Sequence, residues 1–317
     1  MTNHICRHAA LILVSLAATL PAWGETAYVP NEKSGTVSLI DTASDQVIGE
    51  IRTGGTPRGL ALARDGRRLF ISDQSSNSLV VADLDKRAVV DRVALGESPE
   101  GVGISPDGRW VVAAVEVSNS AAFVDASTGK KEFSVETHGR NPEHAVFSPD
   151  GRWLYVSAEE ADSVDVVDVA QRRQVASIKV GKRPRGIGFL PDGSRAYVAA
   201  ELASTVYAID VARHTVIASI KAGNFSNGVA VHPDGKRVYI SNGKDASISV
   251  IDTASNAVVA TIAVGQRPWN MALTADGKKL YVANGRSNSV SVIDTDANRV
   301  VKEITVGERP WGVVVGP

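Results

Sequence analysis

The chain has 317 residues, a formal net charge of −1, 44% hydrophobic residues and 22% charged ones. Those proportions exclude a disordered chain and a multi-span membrane protein. No long basic run is present, so nucleic-acid binding is not expected, and the length admits one large all-β domain.

The first 24 residues stand apart. Arg7 and His8 precede the apolar run AALILVSLAATL (Ala9–Leu20), which is too short for a comfortable membrane span. Small residues follow at Ala22 and Gly24. The pattern predicts a secretory signal over 1–24, cleaved before Glu25, with an uncleaved anchor as the rival reading. Cys6 is the only cysteine and precedes the apolar run, so it is not placed as a lipoprotein cysteine would be. Cleavage would leave 25–317 without a thiol, hence without a disulfide or a cysteine-ligated metal. The expected product is a periplasmic or secreted monomer with no membrane span.

From there the chain repeats. Asp-Gly recurs at Asp65, Asp107, Asp150, Asp192, Asp234 and Asp276, in steps of 42 or 43 residues. Asp41, Asp83, Asp125, Asp168, Asp210, Asp252 and Asp294 each close an apolar run. Pro57, Pro99, Pro142, Pro184, Pro268 and Pro310 form a third register, with Ser226 in the remaining slot. A period near 40 signals a solenoid or propeller. Each unit holds four short Val/Ile/Tyr-rich runs separated by Gly, Asn, Asp and Ser, which reads as four antiparallel strands, a to d. The N-terminal unit, AYVPNEKSGTVSLIDTASDQVIGEIRTGG, lacks strand a, and the C-terminal RPWGVVVGP supplies one. The prediction is a single seven-bladed β-propeller over 25–317, its ring closed by pairing of the two chain ends, which removes open edges.

The segments YVPN (Tyr28–Asn31), YISN (Tyr239–Asn242) and YVAN (Tyr281–Asn284) resemble the Tyr-Val-Thr-Asn signature of bacterial YVTN-type propeller repeats. SPDGRWLYVS and SVIDTASNAVVATIAVGQRP match that repeat along its whole length. More narrowly, the chain looks like the propeller proteins associated with catabolism dependent on pyrroloquinoline quinone (PQQ). That resemblance implies company with exported PQQ-dependent alcohol dehydrogenases and no defined activity. Strand c never ends in Trp-Asp, which disfavours WD repeats. VDASTGKKEF (Val124–Phe133) is a single echo of the tryptophan-docking repeat of PQQ dehydrogenases, too little for a cofactor box. The haem-binding propeller of periplasmic nitrite reductase and the cytosolic lactonase propellers are further relatives.

In a propeller the a–b and c–d turns share one face, and the d–a and b–c connections share the other. The Asp turns repeat in every blade, which points to turn chemistry rather than a site. On the opposite face the blades differ. The residue after each proline register is Arg58, Glu100, Glu143, Arg185, Asn227, Trp269 and Trp311, followed by Gly in five blades and by His144 and Asn270 in two. One b–c slot carries Glu32, Gln74, Glu116, Glu159 and Glu201, completed by Gly243 and Gly285. Arg267 and Arg309 stand before their prolines, at the same mouth. Variation on a repeated scaffold is where a ligand or partner face is expected. Arg58–Glu100 and Glu143–Arg185 can equally be exposed pairs between blades, contributing little. Trp269 and Trp311, on neighbouring blades, can stack on a flat ligand, anchor a partner, or pack between blades. His144, with Glu143 and His138 near it in sequence, is either a metal or haem ligand or a hydrogen-bonded surface residue.

No G-x-S-x-G, phosphate loop, dinucleotide fingerprint or H-E-x-x-H occurs, so no catalytic residue and no metal site is assigned. The leading expectation is a non-catalytic binding or accessory protein in periplasmic PQQ-linked alcohol oxidation, partnered by a PQQ-dependent dehydrogenase. It requires no cofactor, although PQQ or haem remains open. The alternatives are a lactonase-like hydrolase using the face carboxylates and a haem- or cofactor-binding propeller.

Overall fold

The computed structural model describes residues 24–317, so the predicted signal lies, except for its last residue, outside the described residues. Among the described residues, 28 strands form seven four-stranded antiparallel sheets. No helix among them is long and apolar enough to cross a membrane. Six sheets are built from consecutive strands. The seventh joins the chain ends: β28 (Val314–Gly316) pairs with β1 (Thr26–Asn31), followed by β2 (Thr36–Asp41) and β3 (Gln46–Arg52). This closing strand has three residues where the other innermost strands have six. Upstream of it, the contacts are a bridge between Asn31 and Pro310 and a hydrogen bond from Trp311 N to Pro30 O (3.0 Å).

Burial follows position in the blade. The middle strands, such as β5 (Arg68–Asp73) and β6 (Ser78–Asp83), are packed on both faces by neighbouring blades and are almost continuously buried. A strand covered on both faces needs an unbroken apolar run, as these have. The outermost strands, such as β3, are mostly exposed. The core is therefore divided among the blade interfaces. In one, Tyr155, Val164 and Val166 of one blade pack against Ile187, Val198 and Ile209 of the next. Each buried tyrosine also needs a partner for its hydroxyl. Tyr155 meets His214 Nδ1 and Tyr197 meets Asn256 Oδ1, both at 2.8 Å, and Tyr281 donates to Asp45, each on the adjoining blade.

The asparagine of the YV-x-N segments ties strand b to strand c. Asn31 donates to Thr36 and Ser38, Asn242 to Ser247 and Ser249, and Asn284 to Ser289 and Ser291, at 2.8–3.2 Å. On the a–b turns, all six Asp-Gly aspartates accept the backbone N–H two residues on, at 2.8–3.0 Å. Each glycine that follows has φ of 67–75°, the left-handed conformation that favours glycine. The seven c–d aspartates cap their own turns by accepting the backbone N–H three residues on. His232 sits just past β20 (Ser226–Val231), at the start of its a–b turn, with Nδ1 2.7 Å from Asp234.

Candidate functional site

The innermost strands of six blades are β4 (Pro57–Leu62), β8 (Pro99–Ile104), β12 (Pro142–Phe147), β16 (Pro184–Phe189), β20 and β24 (Pro268–Leu273). Each carries an irregularity immediately after its first residue. In β4, Pro57 pairs with Asp73 and Leu60 with Ile71, so Arg58 and Gly59 together stand opposite Ser72. The same shift recurs in the other five. A bulge of this kind re-aims a side chain, and here it falls on the position that varies from blade to blade. The serine opposite satisfies the displaced backbone: Ser72 Oγ accepts from Gly59 N (2.8 Å) and donates to the Glu100 carbonyl. Ser241 does the same for Gly228 and Trp269. Adjacent strands approach so closely that a Cβ on Gly59 would lie 2.4 Å from the Glu100 carbonyl oxygen.

Bulged residues, b–c connections and four residues that stand before a proline register converge on a cavity of about 360 Å³ at the channel mouth. Arg58, Glu100, Glu116, Glu143, Glu159, Arg185, Asn227, Arg267, Trp269, Arg309 and Trp311 line it. Glu201 is fully buried beside it, and His144 lies in a smaller space of about 110 Å³ with Trp311, Leu60 and Val102. His138 is exposed on a loop and does not join His144. Arg183 and Asn141 also line the mouth and were missed in the sequence. They precede Pro184 and Pro142 just as Arg267 and Arg309 precede theirs, and that shared slot was the available signal. Asn141, Arg183, Arg267 and Arg309 all adopt left-handed backbone there, with φ of 56–61°.

The charged residues are not the exposed pairs that the sequence allowed. Glu100 is only 1% exposed, and its Oε1 accepts from Arg58 and Gln74. Arg58 also reaches Glu32 at 3.0 Å. Arg185, 15% exposed, binds three carboxylates: Glu143, Glu159 (2.6 Å) and Glu201 (3.2 Å). Arg267 holds the other Glu201 oxygen at 2.6 Å, Arg183 holds Glu159 at 3.1 Å, and Arg309 stands 3.7 Å from Glu32. Opposite charges from neighbouring blades thus meet out of water, where breaking a pair is costly.

The tryptophans do not act as a matched pair. Trp311 stacks on the imidazole of His144 from across the ring, with centroids 5.5 Å apart and planes 16° apart. Trp269 lies at the rim beneath Arg309 and Arg267, whose guanidinium carbons are 5.8 and 6.0 Å from its ring centroid. His144 is not a solvated, hydrogen-bonded histidine, because neither ring nitrogen has a hydrogen-bond partner. Burial lowers its pKa against the pull of Glu143, which favours the neutral ring.

The carboxyl groups differ in affinity for a proton. Burial, with the Glu143 charge added, pushes Glu100 up to about 9 despite Arg58. Burial and Glu143 likewise push Glu159 up to about 7 against Arg185 and Arg183. Burial raises Glu116, opposed by its hydrogen bond from Ser98. Burial also works against the Glu143 carboxylate, but the guanidiniums of Arg185, foremost, and Arg58 hold its pKa below the ordinary value. At neutral pH the mouth therefore sets a protonated carboxyl (Glu100) beside an ionised one (Glu143), with one oxygen each from Glu100, Glu116 and Glu143 lying within 4.8 Å of one another.

The family model described as "Lactonase, 7-bladed beta-propeller" matches residues 93–180 and 170–308. Among curated proteins none matches the chain in sequence. The hydrazine synthase of Kuenenia stuttgartiensis is similar in structure, with TM-score 0.79 and 24% identity over 90% of this chain and 99% of that one. A functionally unknown protein from Desulfotomaculum acetoxidans DSM 771 aligns with TM-score 0.80 and 17% identity, over 92% and 98% of the two chains. The dihydro-heme d1 dehydrogenase NirN in complex with DHE aligns with TM-score 0.68 and 17% identity, over 94% and 78%. At these identities the likeness is one of fold.

Proposed function

The chain belongs to the seven-bladed β-propeller lactonase family, and on that premise we propose that its channel mouth binds a small, oxygen-rich molecule and hydrolyses a lactone. The observation that carries this reading is the trio of Glu100, Glu116 and Glu143 on the wall of a polar cavity large enough for a small ring. Two carboxyls held at different protonation states are the ordinary equipment of acid–base catalysis. Glu116, the most accessible of the three, takes a proton from water as its oxygen attacks the lactone carbonyl carbon. The ring C–O bond breaks, and Glu100 gives its proton to the departing alkoxide, leaving a hydroxy acid. The arginines at the rim offer the product carboxylate its counter-charge.

The test is acid release from a panel of five- and six-membered lactones by the purified protein. Turnover that falls at least a hundredfold in Glu100→Gln and in Glu116→Gln is expected. No turnover on any lactone would overturn the reading.

A second reading has its own observation. Trp269 sits part-exposed at the rim beneath two arginines, a suitable platform for a planar anion or an aromatic anchor from a partner. It agrees with the resemblance to the PQQ-associated YVTN propellers and with the export that the N-terminal sequence predicts. In that case the protein is a non-catalytic accessory that binds PQQ or docks a PQQ-dependent dehydrogenase. Haem suits the mouth less well, since its walls are carboxylates and guanidiniums and His144 is already stacked on Trp311. A thermal shift with PQQ, lost in Trp269→Ala, together with no lactone turnover, would select this reading.

A further inference from the structure

We propose that Glu100, Glu116 and Glu143 form a binding site for one hard divalent cation, calcium being the best fit. The inference rests on the reading of this cavity as the functional site, and it adds a ligand there.

Each carboxylate spends one oxygen on the protein and keeps the other. Glu100 Oε1 takes Arg58 and Gln74, Glu143 Oε1 takes Arg185, and Glu116 Oε2 takes Ser98 at 2.5 Å. Among the described residues, nothing hydrogen-bonds the second oxygen of any of the three. For Glu116 and Glu143, solvent in the cavity can serve. Glu100 is the most enclosed of the three: it lines the cavity, yet the residue is 1% exposed and its Oε2 is buried without a partner. A buried carboxylate oxygen with no donor is costly, a cost that a proton meets when the site is empty and a cation meets when one binds. The flanking guanidiniums of Arg58 and Arg185 meet the Oε1 atoms of Glu100 and Glu143 instead.

The geometry suits an ion. One carboxylate oxygen from each of the three residues lies within 4.8 Å of one from each of the others. Oxygens on opposite sides of a calcium ion stand about 4.6–5.2 Å apart, twice the usual 2.3–2.6 Å bond. All-carboxylate donors select calcium, magnesium or manganese over zinc or copper. Three protein oxygens leave the remaining positions to water or substrate on the cavity side, and calcium tolerates such a partial set better than magnesium does. With a cation in place Glu100 is a ligand rather than a proton donor, and the cation is the group facing a lactone carbonyl.

Terbium(III), a luminescent stand-in for calcium, tests the site through energy transfer from Trp269 and Trp311 on the same cavity wall. Titration of the purified protein is expected to saturate at one ion per chain and to reverse with calcium. Glu116→Gln should weaken binding at least tenfold. It loses only the Ser98 contact, so folding is not at stake as it is for Glu100→Gln. Asp65→Asn, on the opposite face, should bind as the parent does. A signal that never saturates, or one unchanged in Glu116→Gln, would mean adventitious binding at surface aspartates and would overturn the proposal. Lactone turnover that survives EDTA yet is lost in Glu100→Gln would overturn the cation and keep the hydrolase. Calcium binding without turnover would keep the cation and overturn the hydrolase.

Discussion

The two faces of the ring use acidic residues in opposite ways. On the turn face, thirteen aspartates at two registers all accept backbone N–H groups of their own turns. Most are open to water, so each needs only a local partner and the same residue serves every blade. At the mouth, glutamates are buried and answered by arginines, most of them from other blades, and Glu32, Glu100 and Glu159 each keep one buried oxygen without a hydrogen bond. A residue repeated at the period serves the chain's own backbone, while a residue that departs from it serves the space shared by all the blades. The faces should therefore respond very differently to loss of one charge.

The sharpest break in that contrast is Arg185→Ala. One guanidinium, 15% exposed, answers Glu143, Glu159 and Glu201 together. Removing one partner of a buried pair leaves an uncompensated charge, at a typical cost of about 3–5 kcal/mol. Denaturant unfolding should show a loss in that range, partly recovered by adding Glu143→Gln. A loss under about 1 kcal/mol, as for a surface pair, would mean that the mouth is solvated like the turn face.

Next in size is a pH effect confined to the mouth. Glu100 titrates near 9 in the folded chain, against an ordinary 4.5. The folded state therefore binds its proton more tightly than the unfolded state does. That contribution is fully present below about pH 4.5 and is lost as pH rises toward 9. Glu159, raised to about 7, acts in the same direction over a narrower window. Glu143, lowered, acts in the opposite direction at acid pH. Stability should thus decline between pH 5 and 9, and Glu100→Gln should flatten the decline, as read from melting temperatures across buffers. An unchanged slope in the variant would place the titrating group elsewhere.

Much of this contrast was legible in the sequence. The three registers define strand, turn and blade count, because turn chemistry and strand burial recur with the period. The split blade, with YVPN at one end of the chain and RPWGVVVGP at the other, predicts the closed ring, and β1 pairs with β28 accordingly. Burial of the charges was hidden, since it depends on how far seven side chains reach across a channel whose width no local pattern encodes. The His144–Trp311 stack was hidden for the same reason, as it joins residues 167 positions apart in non-adjacent blades. Arg183 was readable from the slot before Pro184, which Arg267 and Arg309 already mark on their own blades.

The smallest expected effects lie on the turn face and set the scale for the rest. Asp150 accepts from Arg152 N at 3.0 Å and from Ser148 Oγ at 2.5 Å. Asp150→Ala forfeits both bonds, but water reaches the freed donors, so a loss of about 1 kcal/mol is expected. Arg67 and Asp85 form a well-shaped pair at 2.9 Å, yet the side chains are 71% and 67% exposed. Water and salt already screen that attraction, and holding two long side chains in place offsets what remains. Arg67→Ala should leave the melting temperature where it was, at low and high salt alike. The Arg67 and Arg185 pairs look alike as contacts on a distance list, so a null result at Arg67 beside a large loss at Arg185 would assign the difference to desolvation. A salt-sensitive loss at Arg67 would instead show that charge on the turn face contributes more than its aspartate caps require.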